Sequence, residues 1–141
     1  MKKKLIILLL LLPIFSGCQY GTHKDKIIDK YFLTYVDTES MLSLSYDLEN
    51  GDFIGVVNDA VFAVGYNSNF IIVKNHPFVE PDSINRTVTN YYIVKIDKNI
   101  SKYKVDENKI GPMTELNFNK KRKELKIPDN LDFTIDIDEN K

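Results

Sequence analysis

The sequence predicts an α+β fold, in which an antiparallel β-sheet meander of about six strands carries one C-terminal helix packed on it. Two observations support this prediction. Between residues 29 and 96 the apolar segments are short, rich in β-branched and aromatic residues, and separated by turn-forming residues. Signals for the start and the end of a helix come late, after residue 112. A small closed β-barrel is the alternative.

The first predicted strands form hairpins. Residues 31–36 are the first candidate. Residues 41–46 alternate apolar side chains with serines, which is the period of two of a half-buried strand. Asn50-Gly51 then supplies the positive φ values of a tight turn and leads into residues 53–57.

The predicted core strand follows a break at Asn58-Asp59. Residues 60–66 are apolar throughout, as expected for a strand that is covered on both faces. Residues 70–74 and 91–96 complete the meander, and residues 75–90 between them read as a long loop with two prolines.

The helix is predicted from its capping residues. Thr114 is the N-cap, Glu115 places a negative charge in the first turn, and Met113 with Phe118 forms a hydrophobic staple. Pro128 ends the helix.

A last strand with one apolar and one acidic face is expected over residues 131–137. Asp132, Asp136 and Asp138 share the acidic face, but residues two apart on a strand are roughly 6.6 Å apart. This spacing is too wide to chelate a cation unaided, so no metal site and no cofactor are predicted.

Composition excludes several classes of protein. The chain has 141 residues with a net charge of −1, which is the length of one domain and argues against a nucleic-acid partner. It contains one cysteine and two histidines. An intrachain disulfide is therefore impossible, and there are too few ligands for a zinc site built from cysteine and histidine alone.

The N-terminus has the pattern of a signal peptide. Residues 2–4 are basic, residues 5–12 are an unbroken apolar run, and small residues precede Cys18. The run is far shorter than the roughly 20 residues that span a bilayer. Phe15-Ser16-Gly17-Cys18 resembles the lipobox of bacterial lipoproteins.

That resemblance implies that Cys18 is acylated and becomes the first residue of the mature chain. The expected organisation is a signal peptide over residues 1–17, the lipidated cysteine and a flexible spacer over residues 18–28, and one α+β domain over residues 29–141. The lipid bilayer is then a partner through Cys18, and the protein is attached to the cell membrane or the outer membrane, outside the cytoplasm. Loss of the three N-terminal lysines changes the net charge from −1 to −4, so the domain is expected to sit off an anionic surface on its tether.

Candidate ligand-binding residues gather at the borders of the long loop. Lys74 and His76 lie where one strand ends, and Tyr91 with Tyr92 begins the next, so the four side chains are expected to line a polar cleft. No catalytic residue is predicted. The favoured function is a binding or interaction module for a protein partner in the cell envelope. The alternative is a small envelope hydrolase that uses His76 with Lys74 or a carboxylate.

The mature chain also resembles a family of small bacterial lipoproteins that carry a domain of unknown function. The residues that carry the resemblance are 65–77, 91–94, 111–114, Phe118, 121–125 and 127–128. The resemblance implies a shared domain and a lipid anchor, and it implies no catalytic residue.

Overall fold

The computed structural model describes residues 23–35, 41–79 and 83–137. Its strands and its α-helix are β1 (His23–Ile28), β2 (Tyr31–Tyr35), β3 (Ser43–Asp47), β4 (Phe53–Val57), β5 (Val61–Tyr66), β6 (Phe70–Asn75), β7 (Phe78–Val79), β8 (Ser83–Ile84), β9 (Asn90–Lys95), β10 (Lys109–Met113), α1 (Glu115–Glu124) and β11 (Ile135–Asp136). A 3-10 helix over Lys102–Asn108 precedes β10.

The strands form two open antiparallel sheets and a short hairpin. The N-terminal sheet has the order β1-β2-β3-β4, and the central sheet has the order β10-β9-β6-β5-β11. β7 and β8 pair with each other inside the predicted long loop. The predicted α+β class is confirmed, whereas the single sheet and the closed barrel are not what the described strands form.

The division into two sheets occurs at the break after β4. Asp59 and Ala60 have φ values of 61° and 45°, so the chain turns sharply there. β5 consequently pairs with β6 and not with β4. The pattern of apolar and turn residues marks this break but does not reveal that it separates two sheets.

The fold begins earlier than the sequence predicted. The expected spacer extends to residue 28, yet residues 23–28 form β1, which pairs with β2 through a turn at Asp29. Ile27 of β1 is buried in the core. The spacer prediction is therefore wrong for residues 23–28, while residues 18–22 lie outside the described residues.

The central sheet is covered on both faces, which produces two apolar cores. The first core lies between the sheets and contains Leu44 and Val57 from the N-terminal sheet with Val64 and Val73 from the central sheet. The second core lies on the other face of the central sheet, where Ile72 and Ile93 contact Phe118 of α1. Side-chain alternation places Ile72 and Val73 in different cores.

The helix agrees with its predicted signals. Thr114 is the N-cap and its hydroxyl accepts a hydrogen bond from the Asn117 N–H at 3.4 Å. Glu115 lies in the first turn, and Met113 packs with Phe118 in the second core. The helix ends at Glu124, before Pro128.

The last segment differs from the predicted strand. Only residues 135–136 pair with β5, as β11. Leu131 and Phe133 pack in the second core, whereas Ile135 and Ile137 pack against the first core. The predicted single apolar face is therefore divided between the two faces of the central sheet, because the segment crosses the sheet edge.

Tyr31 should make stability fall at alkaline pH. The side chain is 1% exposed, its hydroxyl has no hydrogen-bond partner among the described residues, and burial raises its pKa from 10.0 to about 12. Between pH 10 and 12 the unfolded chain releases this proton while the folded chain retains it, so the free energy of unfolding falls by up to about 3 kcal/mol as pH rises through that window. Denaturant unfolding at several pH values measures the loss.

The Tyr31→Phe variant tests whether Tyr31 causes the loss of stability at alkaline pH. It should lose that component of the pH dependence and be as stable as the parent or more stable at neutral pH, because it removes a buried hydroxyl without a partner. Tyr103→Phe is the control, since Tyr103 is 77% exposed. An equal alkaline loss in the Tyr31→Phe chain contradicts the prediction.

Candidate functional site

Lys74 and Tyr91 are brought together by the register of the central sheet. They are cross-strand partners on β6 and β9. The Lys74 Nζ lies 5.4 Å from the centroid of the Tyr91 ring and 4.3 Å from that of Phe133. A cation at these distances is attracted to the aromatic rings. Lys74 is partly exposed, and no carboxylate of a described residue is paired with it.

The rings around Lys74 belong to a larger aromatic group. Phe118 lies 5.1 Å from Tyr91 and 6.1 Å from Phe133, measured between ring centroids. We refer to Lys74, Tyr91, Phe118 and Phe133 as the Lys74 cluster. It joins the central sheet, α1 and the C-terminal segment.

Arg122 fixes the path of the C-terminal segment across this cluster. Its Nη2 donates hydrogen bonds to the carbonyl oxygens of Pro128 at 3.0 Å and Leu131 at 2.6 Å. Its guanidinium carbon also lies 5.6 Å from the centroid of the Phe118 ring. These contacts place Phe133 over Lys74. The sequence did not identify Phe133 and Arg122 as site residues, because alternation along a strand does not show which distant side chain the Phe133 ring contacts.

Tyr92 lies on the opposite face of the central sheet from Tyr91. It is 9% exposed and packs in the first core. Burial raises its pKa, and hydrogen bonds with Asn75 and Asn90 act in the opposite direction. Burial likewise raises the pKa of Tyr91, with Glu115 adding to the effect. The predicted cleft therefore does not contain both tyrosines.

Asn75 anchors the turn that leads into β5. It is 4% exposed, and its Nδ2 donates to the carbonyl oxygens of Asn58 at 2.9 Å and Asp59 at 3.1 Å. Buried amides normally find such partners. The sequence places Asn75 only at the start of the predicted loop, and no local signal identifies its structural role.

His76 follows directly after β6 and is buried. Its ring is stacked on Phe62 with centroids 4.4 Å apart, and the side chain is 5% exposed. Its Nδ1 lies 2.6 Å from the Val88 carbonyl oxygen, which can only accept, so Nδ1 carries the proton. A general base must reach a proton on bound substrate, and a ring buried in this way offers little access. The geometry assigns His76 to the packing of the loop against β5.

The Lys74 cluster combines a positive charge with aromatic rings. The Lys74 cluster presents an ammonium on an aromatic platform, which suits an anionic group. The described part of the chain contains no group of three or more histidine, cysteine, aspartate or glutamate side chains that would hold a metal ion. Cys18 lies outside the described residues.

The fold and the site define a class of protein: a small antiparallel α+β domain of two packed sheets and a helix, with a lysine held on aromatic rings. Residues 28–138 match the family described as "Protein of unknown function (DUF3997)". The match spans most of the chain, and the protein belongs to this family. Neither the curated proteins nor the solved structures that were compared with the chain include a match.

Proposed function

We propose that the protein is a lipoprotein anchored through acylated Cys18 outside the cytoplasm, and that its folded domain is a binding module for another component of the cell envelope. The proposal of a lipid anchor rests on the order of the segments before Cys18, which are a basic start, an apolar stretch and then Phe15-Ser16-Gly17. Cys18 is the chain's only cysteine.

The position of the fold is compatible with cleavage before Cys18. The first described strand begins at His23, so removal of residues 1–17 takes away none of the described structure. Among the described residues no helix is long and apolar enough to cross a membrane. Acyl chains on Cys18 would hold the protein, since two or more chains anchor stably where one is marginal.

The experiment that tests the anchor compares the full chain with its Cys18→Ala variant in cells fed labelled palmitate. The parent should take up the label and fractionate with membranes, and the variant should lose both. Thr22→Ala is the matched control, because it changes a nearby residue and keeps the cysteine. Membrane retention of an unlabelled parent would contradict the anchor.

The binding role is supported by Lys74. Its charge is partly exposed and has no carboxylate partner among the described residues, while Tyr91 and Phe133 hold its position. We infer that the Lys74 cluster receives an anionic group of an envelope protein. The hydrolase alternative finds less support, because His76 is buried against Phe62.

Site-specific photocross-linking in intact cells tests this role. A photoreactive residue in place of Asp132, which is exposed beside Phe133, should give one defined adduct. Lys74→Met should abolish that adduct, whereas Lys123→Met, which removes an exposed lysine from the helix, should leave it. An adduct that survives Lys74→Met would contradict the proposed site.

A further inference from the structure

The outer face of the N-terminal sheet carries two lysines beside two aromatic rings. Lys24 and Lys26 lie on β1, where they pair with Thr34 and Phe32 of β2. The Lys24 Nζ is 5.6 Å from the centroid of the Phe53 ring, and the Lys26 Nζ is 6.0 Å from that of Phe32. We call Lys24, Lys26, Phe32 and Phe53 the outer patch.

The two rings of the outer patch meet across β3. Phe32 and Phe53 are in edge contact, with centroids 5.6 Å apart, although they belong to the strands on either side of β3. Ser45 of β3 faces the same side, opposite Phe32, and is 3% exposed beneath them. The two rings thus form one continuous apolar surface. Both rings are partly exposed, and both lysines are exposed.

The outer patch is close in sequence to the proposed anchor. Five Cα–Cα steps separate Cys18 from His23, which limits the span to roughly 18 Å. Lys24 is the next residue and Lys26 lies two further along β1. An acylated Cys18 therefore keeps the outer patch within reach of the lipid headgroups and gives it a high effective concentration there.

The local charge of this surface is suited to anionic lipid. Lys24 and Lys26 both lie on the edge strand β1, whereas Asp47 lies on β3 as the cross-strand partner of Phe53 and borders the patch on its far side. Glu49, beyond the end of β3, is already paired with Lys30 at 2.8 Å. Charges separated by more than about 8 Å are largely screened at physiological salt, so the charges near the patch decide the contact and the net charge of the whole domain does not.

From these observations the geometry points to the outer patch as a docking surface for the anionic headgroups of the membrane that holds Cys18. The proposal rests on the proposed lipid anchor, and it replaces the expectation that the domain stands off the surface. The aromatic rings enter the interfacial region, and the lysine stems lie along them with their ammonium groups at the phosphates.

The chain contains no tryptophan, so the fluorescence of one introduced tryptophan reports how deeply that position enters the bilayer. The Phe32→Trp chain is purified in its acylated form and reconstituted into vesicles of phosphatidylglycerol with bromine-labelled phosphatidylcholine. Its emission should be quenched. Tyr103→Trp is the control reporter, because Tyr103 is 77% exposed and lies on the 3-10 helix. Its emission should not be quenched.

The contribution of the two lysine charges to docking is measured with the same tryptophan reporter. Replacing Lys24 and Lys26 with serine should lower the ratio of docked to undocked protein about thirtyfold, because each lysine near the anionic surface contributes to the attraction. Replacing Lys120 and Lys123 with serine makes the same change in net charge on the exposed side of the helix and should leave the ratio unchanged. If Phe32→Trp prevents folding, Phe53→Trp serves as the reporter in the same patch.

The outcomes separate docking from anchoring. Vesicle-bound, lipid-labelled protein with an unquenched reporter overturns the docking surface and leaves the anchor intact. Protein that carries no attached lipid and does not bind vesicles overturns the anchor and the docking surface together. Equal quenching at positions 32 and 103, or quenching that survives in pure phosphatidylcholine, also overturns the proposal. A cross-link from the patch to an envelope protein in place of quenching would assign the surface to that protein.

Discussion

Replacing Phe118 with alanine should lower the free energy of unfolding by about 3–5 kcal/mol, the usual cost of truncating a buried phenylalanine. Phe118 is 2% exposed at the centre of the second core, between Ile72 and Ile93 of the central sheet. Its ring also contacts Tyr91 and Phe133. Loss of the ring leaves a cavity that the sheet backbone can only partly close. Chemical denaturation measures the change.

The matched control is Leu116→Ala on the same helix. Leu116 is 65% exposed, so its truncation should change stability by less than about 0.5 kcal/mol. Similar losses in the free energy of unfolding for both variants would show that the helix stabilises the fold through its own formation and not through the packing of Phe118. The Phe118→Ala chain should also lose the position of Phe133 over Lys74, and with it any ligand affinity of the Lys74 cluster.

The second large effect is expected from Gly65→Ala. A Cβ built at Gly65 would lie 2.0 Å from the Asp132 carbonyl oxygen and 3.1 Å from Cγ1 of Ile72. The first of these contacts is with backbone, so the C-terminal segment must move away from β5. The expected cost is about 1–3 kcal/mol or more, as for other insertions into close-packed sites.

The displacement should break identified hydrogen bonds. Thr134 N–H donates to the Val64 carbonyl at 3.0 Å, and Ile137 N–H donates to the Phe62 carbonyl at 2.8 Å. Both should exchange faster with deuterium in the Gly65→Ala chain than in the parent. Unchanged protection of these two amides would contradict the predicted displacement.

Gly55→Ala provides a test that separates backbone crowding from side-chain crowding. A Cβ at Gly55 would lie 1.9 Å from Oδ1 of Asn58, which is the end of a flexible, exposed side chain. Asn58 can rotate away, whereas the Asp132 carbonyl cannot. The loss of stability should therefore be clearly smaller than for Gly65→Ala, although the two overlaps are equally short.

Local signals predicted the helix and most of the strands. Thr114, Glu115 and Pro128 act within one or two turns of the chain, so the start and end of α1 follow from capping and from proline geometry. Gly51 adopts a φ of 92° in the predicted hairpin turn. The apolar run over residues 60–66 indicates a strand buried on both faces, and Val64 and Gly65 are buried as expected.

The candidate site was predicted only in part, because its members depend on which strand faces meet as well as on which residues are close in the chain. Tyr91 and Tyr92 are adjacent and so point to opposite faces of the sheet. Lys74 and Tyr91 are paired, but this depends on the register between β6 and β9. His76 was expected at a polar cleft and is instead stacked on Phe62.

By itself, the sequence determined the class of fold, the capped helix and the turns, since each of these depends on residues close together in the chain. The tertiary structure alone decided that the strands divide into two sheets, that β1 includes residues 23–28, and that Phe133 lies over Lys74. These features depend on contacts between residues far apart in the chain. Such contacts form only when burial of both faces of the central sheet offsets the entropy of closing the intervening loops.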